Sequence, residues 1–208
     1  MATFLELQDD IEGYLLRTDI NSYVKSAIND SIAKYSKSRF WFDETIGNFN
    51  TVQGTWFYDT TIIPDNIRQI DYFRITVNNV YYDVNQRDIQ FIIDANVNNN
   101  QGQPTDWAWY NRSIAFYPVP QAAYPITLYY QKSYAPLIDA SDSNDFTNIL
   151  EAKDLIENET LSTLYRKVIL DKEKADEYAL SAASSLQVLN QITESITGIN
   201  GYIKPTEW

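Results

Sequence analysis

Ile67-Arg68-Gln69-Ile70-Asp71-Tyr72-Phe73-Arg74-Ile75-Thr76-Val77-Asn78-Asn79-Val80-Tyr81-Tyr82 is written in the two-residue period of a strand, with Ile70, Tyr72, Phe73, Ile75 and Val77 interleaved by polar residues. Asn78-Asn79 supplies two residues that tolerate positive φ, so Val77 to Val80 reads as a hairpin and Val80-Tyr81-Tyr82 as its return strand. The same grammar continues on both sides. Thr55-Trp56-Phe57-Tyr58 is aromatic and β-branched, and Trp107 to Tyr110, the turn Asn111-Arg112 and Ser113 to Tyr117 form a second hairpin. Pro125 to Tyr134 adds a strand in which Ile126, Leu128 and Tyr130 alternate with Thr127, Tyr129 and Gln131. Asp88 to Asp94 reads as one helical turn or a loop, and Asn96 to Gln103 as an exposed polar loop. Pro118, Pro120 and Pro136 cannot sit inside central strands and so punctuate this region. A small antiparallel β domain over residues 39–137 is expected.

Outward from it the period changes. Thr3 followed by Glu6 is a capping box, and Phe4, Leu7, Ile11, Tyr14 and Leu15 follow at helical spacing. A turn at Arg17 to Asp19 leads to a second stripe of Ile20, Val24, Ala27, Ile28, Ile32 and Tyr35. Two short amphipathic helices over residues 1–38 need further helical partners to bury their stripes. The other arm, residues 138–196, supplies them after an acidic linker. Leu161, Leu164, Val168 and Ile169 mark one helix from about Leu155 to Leu170, and Asp171 caps the next. Ala175, Tyr178, Ala179, Ala182, Leu186, Leu189 and Ile192 form the fourth stripe. The fold class is therefore α+β: a helical bundle from the two arms, an inserted antiparallel β domain, and an extended C-terminal arm over residues 197–208.

Composition narrows the function. The 208 residues carry 16 Lys plus Arg against 28 Asp plus Glu, a formal net charge of −12, which argues against a nucleic-acid clamp. The absence of both Cys and His removes disulfides, thiolate nucleophiles, Cys/His zinc sites and every triad built on His. No window approaches the roughly 18–20 apolar residues of a membrane span. The start, with Glu6, Asp9 and Asp10 and no basic lead into an apolar run, is not expected to be a secretory signal.

Candidate chemistry is thin. Asp139, Asp142 and Asp145 alternate with small polar residues and could offer oxygen ligands, but Asn144 stands where a calcium loop needs Gly and the match is poor, so a solvated linker capping the next helix is favoured. Glu157, Glu159, Asp176 and Glu177 are expected to face water. Trp107 and Trp109 share one strand face, which is either a glycan-binding platform or one face of a sheet core, the core being favoured. Scattered glycines form no phosphate loop. No cofactor or metal is expected. The end of the chain instead carries Ile199, Tyr202, Ile203 and Trp208, apolar anchors that a disordered tail would lack and a docking arm would use.

Several motifs in order resemble the head-to-tail adaptor (connector) proteins of tailed bacteriophages. They are the aromatic cluster Arg39-Phe40-Trp41-Phe42 after the first helices, and the Pro-Asp turn Ile63-Pro64-Asp65-Asn66 before Ile67. Next come Gly102-Gln103-Pro104 ahead of Trp107, the corner Tyr117-Pro118-Val119-Pro120, the strand Tyr124 to Tyr130 and the exit Ala135-Pro136-Leu137. The resemblance implies a non-enzymatic virion component in the neck, assembled in the host cytoplasm as a closed ring expected to be dodecameric. It implies the portal protein above, tail or nozzle proteins below, copies of itself alongside, DNA passing through the channel without specific binding, and no membrane. Ile199, Tyr202, Ile203 and Trp208 would then be the portal-binding anchors. From Ile138 onward the chain has 13 acidic and 6 basic residues, and an acidic lumen would repel phosphate; simple solubility explains the same charge. The competing reading from another class is a glycan-binding virion or surface module using the Trp107/Trp109 face, and a carboxylate-dependent hydrolase ranks last.

Overall fold

The computed structural model describes residues 2–197, so the expected arm anchors lie outside the described residues. The chain divides into two compact units: the first takes the chain up to Asp43 and from Tyr134 on, the second Glu44–Ser133.

The first unit is helical. Helix α1 (Phe4–Leu15) starts at the capping box, where Thr3 N–H donates to Glu6 Oε2 at 2.8 Å and Glu6 N–H to Thr3 Oγ1 at 3.2 Å. Two further N–H groups of its first turn, on Phe4 and Leu5, donate to the carbonyls of Asp142 and Ala140. The acidic linker thus closes the start of a distant helix as well as capping its own: Asn144 caps α4 (Asp145–Asn148), accepting from Thr147 N–H. Helix α2 (Asn21–Tyr35) and helix α5 (Leu150–Leu164) bury Ile28, Ile32, Leu155, Ile156 and Leu161 in one core with Phe4, Leu7 and Ile11. Helix α5 begins five residues earlier than its apolar stripe suggests and widens into a π turn over Tyr165–Ile169. Leu170 reverses the chain at φ 63°, and Asp171 caps α6 (Lys172–Thr197) by accepting from Lys174 N–H at 3.1 Å. Ala175, Ala182 and Leu189, seven residues apart, are the buried seam of α6.

The aromatic run that the sequence places in the inserted domain belongs to this helical core. Phe40 and Phe42 stack at 5.2 Å and both meet Phe146 edge-on, and Leu137 is buried beside them. A single 3-10 turn, Trp41–Asp43, folds the run back onto the helices before the first strand begins.

The second unit is a layered β structure. One sheet has the order β1-β10-β3-β4, all antiparallel, formed by β1 (Glu44–Asn50), β3 (Ile67–Val77), β4 (Val80–Asp83) and β10 (Pro125–Lys132). The hairpin between β3 and β4 turns on Asn78 (φ 52°) and Asn79 (φ 62°). The other sheet, β2-β8-β7-β5, joins β2 (Phe57–Tyr58), β5 (Asn85–Gln86), β7 (Asp106–Tyr110) and β8 (Ser113–Tyr117); β5 runs parallel to β7. Its hairpin turns on Asn111 and Arg112, again both at positive φ. Phe73, Trp107 and Phe116 form the centre of the core between the sheets, with Phe73 4.6 Å from Trp107 and edge-on to Phe116. On the far face of the second sheet the side chains are small: Ala108 and Ala115 admit Ile92 of α3 (Ile89–Ala95), whose N-cap is Asp88. A short parallel pair, β6 (Gln101–Gly102) with β9 (Val119–Pro120), brings together the Gly-x-Pro and Pro-x-Pro motifs.

Strand β1 is the element that the sequence hides. Its Glu-Thr-Ile-Gly-Asn-Phe-Asn run lacks a clear alternation, and Gly47 sits in its middle. A Cβ there would lie 2.9 Å from Pro64 Cγ and 3.2 Å from Tyr130 Cε1, so glycine is what lets β1 close onto β10 beneath the Pro64 turn.

Candidate interaction surfaces

The first sheet has a wet side, and its composition is unusual for solvent. The alternation that turns Phe73 and Ile75 inward turns Tyr72 and Arg74 outward. Tyr129 faces outward opposite Tyr72 while Tyr130 points in, and the register irregularity between them skips Asp71 on β3, so that Ile70 and Phe73 both stay buried. Ile46 lies opposite Tyr129 on β1, and Tyr81 follows on β4, at 56% and 67% exposure. The Arg74 guanidinium lies over Tyr72, Tyr81 and Tyr129, at 5.0, 5.9 and 5.9 Å from their ring centroids. Its Nε donates to Tyr72 Oη at 3.2 Å, and Tyr72 Oη donates to Asp83. Burial and the Asp83 carboxylate raise the Tyr72 phenol above its ordinary value, so it stays a neutral donor. Tyr and Arg held in place by one another are the residue types that dominate binding energy at protein interfaces. The sequence reading passed over this face, although the period-two spacing of Tyr72 and Arg74 against Phe73 and Ile75 already separates the sides.

The other candidates fare differently. Trp107 is 3% exposed and packs on Phe73 in the core, and Trp109 packs against the same core, so the two do not form a glycan platform. Strand β7 lies under the first sheet, which fills the face a sugar would need. Glu157 and Glu159 do not face water: their side chains are 14% and 18% exposed. Glu159 accepts from Tyr35 Oη at 2.7 Å and Lys34 Nζ at 2.6 Å, while Lys153 bridges Glu157 and Asp10 at 3.2 and 2.6 Å. Burial raises the Glu157 carboxyl against the pull of Lys153.

The acids of the linker are occupied as local structure. Asp142 accepts from the N–H groups of Ile138 and Asp139, which lower its pKa. Tyr134 Oη lies 2.8 Å from both Asp43 Oδ1 and Asp145 Oδ2, and Asp43 Oδ2 accepts from Phe40 N–H. Burial, then the two carboxylates, push the Tyr134 phenol far above its usual value. This network joins the end of the first helical arm to the start of the second. Among the described residues no cluster of three or more acids is arranged to hold a metal ion, and no helix is long and apolar enough to cross a membrane. Ile199, Tyr202, Ile203 and Trp208 fall outside the described residues.

No curated protein matches the chain. The family described as SU10 adaptor protein matches residues 2–201, through both helical arms and the whole β insertion. A fold of two helical arms with an inserted β unit, an aromatic and arginine face, and the linker acids Asp142 and Asp145 held in local hydrogen bonds is matched along nearly all of its length by one family: the chain belongs to the SU10 adaptor proteins, a family of tailed-phage head-to-tail adaptors.

Proposed function

We propose that the protein is a structural ring component of the virion neck that joins the portal to the tail and continues the DNA channel. The family match across residues 2–201 carries this reading. The Tyr72/Arg74/Tyr81/Tyr129 face supports it, since Tyr and Arg are enriched where proteins bind proteins. In this reading copies assemble around the channel, expected to be twelve-fold, in the host cytoplasm. The segment with Ile199, Tyr202, Ile203 and Trp208 reaches the portal, and tail or nozzle proteins dock on the opposite side. Weak arm contacts repeated around a ring add through avidity. The role is mechanical, not catalytic, and DNA passes without specific binding.

Deleting residues 199–208 tests the arm. The truncated chain should keep its circular dichroism spectrum and lose co-sedimentation with portal. Normal attachment of the truncated chain to portal would overturn the assignment of the arm.

A further inference from the structure

The hairpin of β3 and β4 leaves one sheet edge open. Val77 pairs with Val80 across the two-residue turn and Ile75 with Tyr82, so Thr76–Tyr81 and Arg74–Asp83 are the alternate pairs that exchange no ladder bonds. The N–H and C=O groups of Tyr81 and Asp83 therefore point away from β3, on the side where β4 has no neighbouring strand. Among the described residues no main-chain partner takes these four groups. All four residues of β4 are exposed, Val80 at 50%, Tyr81 at 67% and Tyr82 at 44%. The devices that blunt such an edge are missing, since β4 has no proline, no lysine and no bulge in its register. The opposite edge differs: the Pro64 ring lies against β1 at Gly47, and Gly47 and Phe49 are buried.

We propose that β4 is the docking edge for an extended segment of a tail-side protein, which adds to this sheet as a fifth strand. Main-chain geometry selects the form of the occupant: two N–H and two C=O groups repeating along one line are the complement of another extended backbone. Side chains select its composition. Tyr81 and Tyr82 favour aromatic or β-branched neighbours across the new pair. Asp83 is the one charge on β4, its side chain 72% exposed, and it favours a basic neighbour and opposes an acidic one. Tyr81 already touches the Arg74 cluster, so the added strand widens the Tyr72/Arg74/Tyr129 face. The inference rests on the neck reading, in which the arm is assigned to the portal, and gives the tail contact a place and a mode.

Hydrogen exchange on the unmodified chain tests it, read at the Tyr81 and Asp83 amides in the free protein, in particles with portal but no tail, and in tailed particles. Both amides should exchange freely in the first two and slow by at least about a hundredfold in the third. Tyr81→Pro removes only an outward N–H, so the circular dichroism spectrum should persist while the yield of tailed particles falls by more than about tenfold. Tyr81→Ala keeps the N–H and loses the ring, and should retain more tail attachment than Tyr81→Pro. Amides left unprotected in tailed particles, or protected before the tail arrives, would overturn the assigned edge while the adaptor reading stands. Full tail attachment by a folded Tyr81→Pro chain would do the same, and equal loss in both variants would place the contact on the side chain and overturn strand addition. A wild-type chain that joins neither portal nor tail would overturn both readings.

Discussion

Tyr134→Phe is the sharpest probe of how the arms are joined. The substitution removes one oxygen and leaves the ring, which packs edge-on against Phe146 with centroids 5.0 Å apart, so no cavity opens. What is lost is the hydroxyl lying 2.8 Å from Asp43 Oδ1 and 2.8 Å from Asp145 Oδ2. A phenol has one proton and donates to one carboxylate at a time, so the direct loss is a single hydrogen bond to a charged acceptor, about 1.5–3 kcal/mol. Asp43 is fully buried and cannot turn to water for a replacement, which places the expected cost near the middle of that range, about 2 kcal/mol. For a chain of this length that is a fall in Tm of roughly 4–8 °C. Thermal and urea unfolding followed by far-ultraviolet circular dichroism would measure it. The Tyr134→Phe/Asp145→Asn double variant should then cost less than the sum of its parts, because the two groups share one bond. A Tyr134→Phe cost below about 0.5 kcal/mol, the level of an ordinary surface change, would refute the network as a tie.

Gly47→Ala should destabilise by about 1–3 kcal/mol in urea melts, because its Cβ would lie 2.9 Å from a proline ring that has little freedom to move. Leu170→Gly should do the opposite, raising stability by about 0.5–1 kcal/mol once the larger unfolded-state entropy of glycine is counted. Stability should also be sensitive to alkali. The Tyr134 and Tyr35 phenols are raised in the folded state, Tyr134 by burial and its two acids, Tyr35 by burial and Glu159. Their contribution is complete below the unfolded value near about 10 and is lost as pH climbs from there through the folded values. Denaturant melts above that pH should lose stability with rising pH, and the slope should shrink by one proton in Tyr134→Phe.

The elements most legible from sequence are those whose signal is local. Asn78-Asn79 announces its hairpin because Asn tolerates the positive φ that both positions adopt, and Asn111 marks the second turn in the same way. Thr3/Glu6 and Asp171 announce helix starts because the cap is made within three residues. What sequence conceals is set at long range. Strand β1 exists because β10 and Pro64 require a glycine beside them, and neither is near Gly47 in the chain. Glu159 reads as a solvent-facing residue until Tyr35 and Lys34 arrive from the other arm. The spacing of Trp107 and Trp109 fits a platform or a core equally; only the sheet packed above Trp107 decides. The Tyr72/Arg74 face was available to alternation alone, but its meaning depends on Tyr129 and Tyr81 from two neighbouring strands.

The bond from Tyr134 to Asp43 has a consequence for how such a chain diversifies. Everything from Glu44 to Ser133 leaves and re-enters between two fixed posts, so the excursion is a closed loop whose ends need no knowledge of its contents. Doubling the length of a flexible closed loop adds only about 0.6 kcal/mol of entropy cost. Mutation can therefore lengthen, trim or replace the excursion at little thermodynamic penalty while the helices retain their register, leaving one frame free to wear many exteriors.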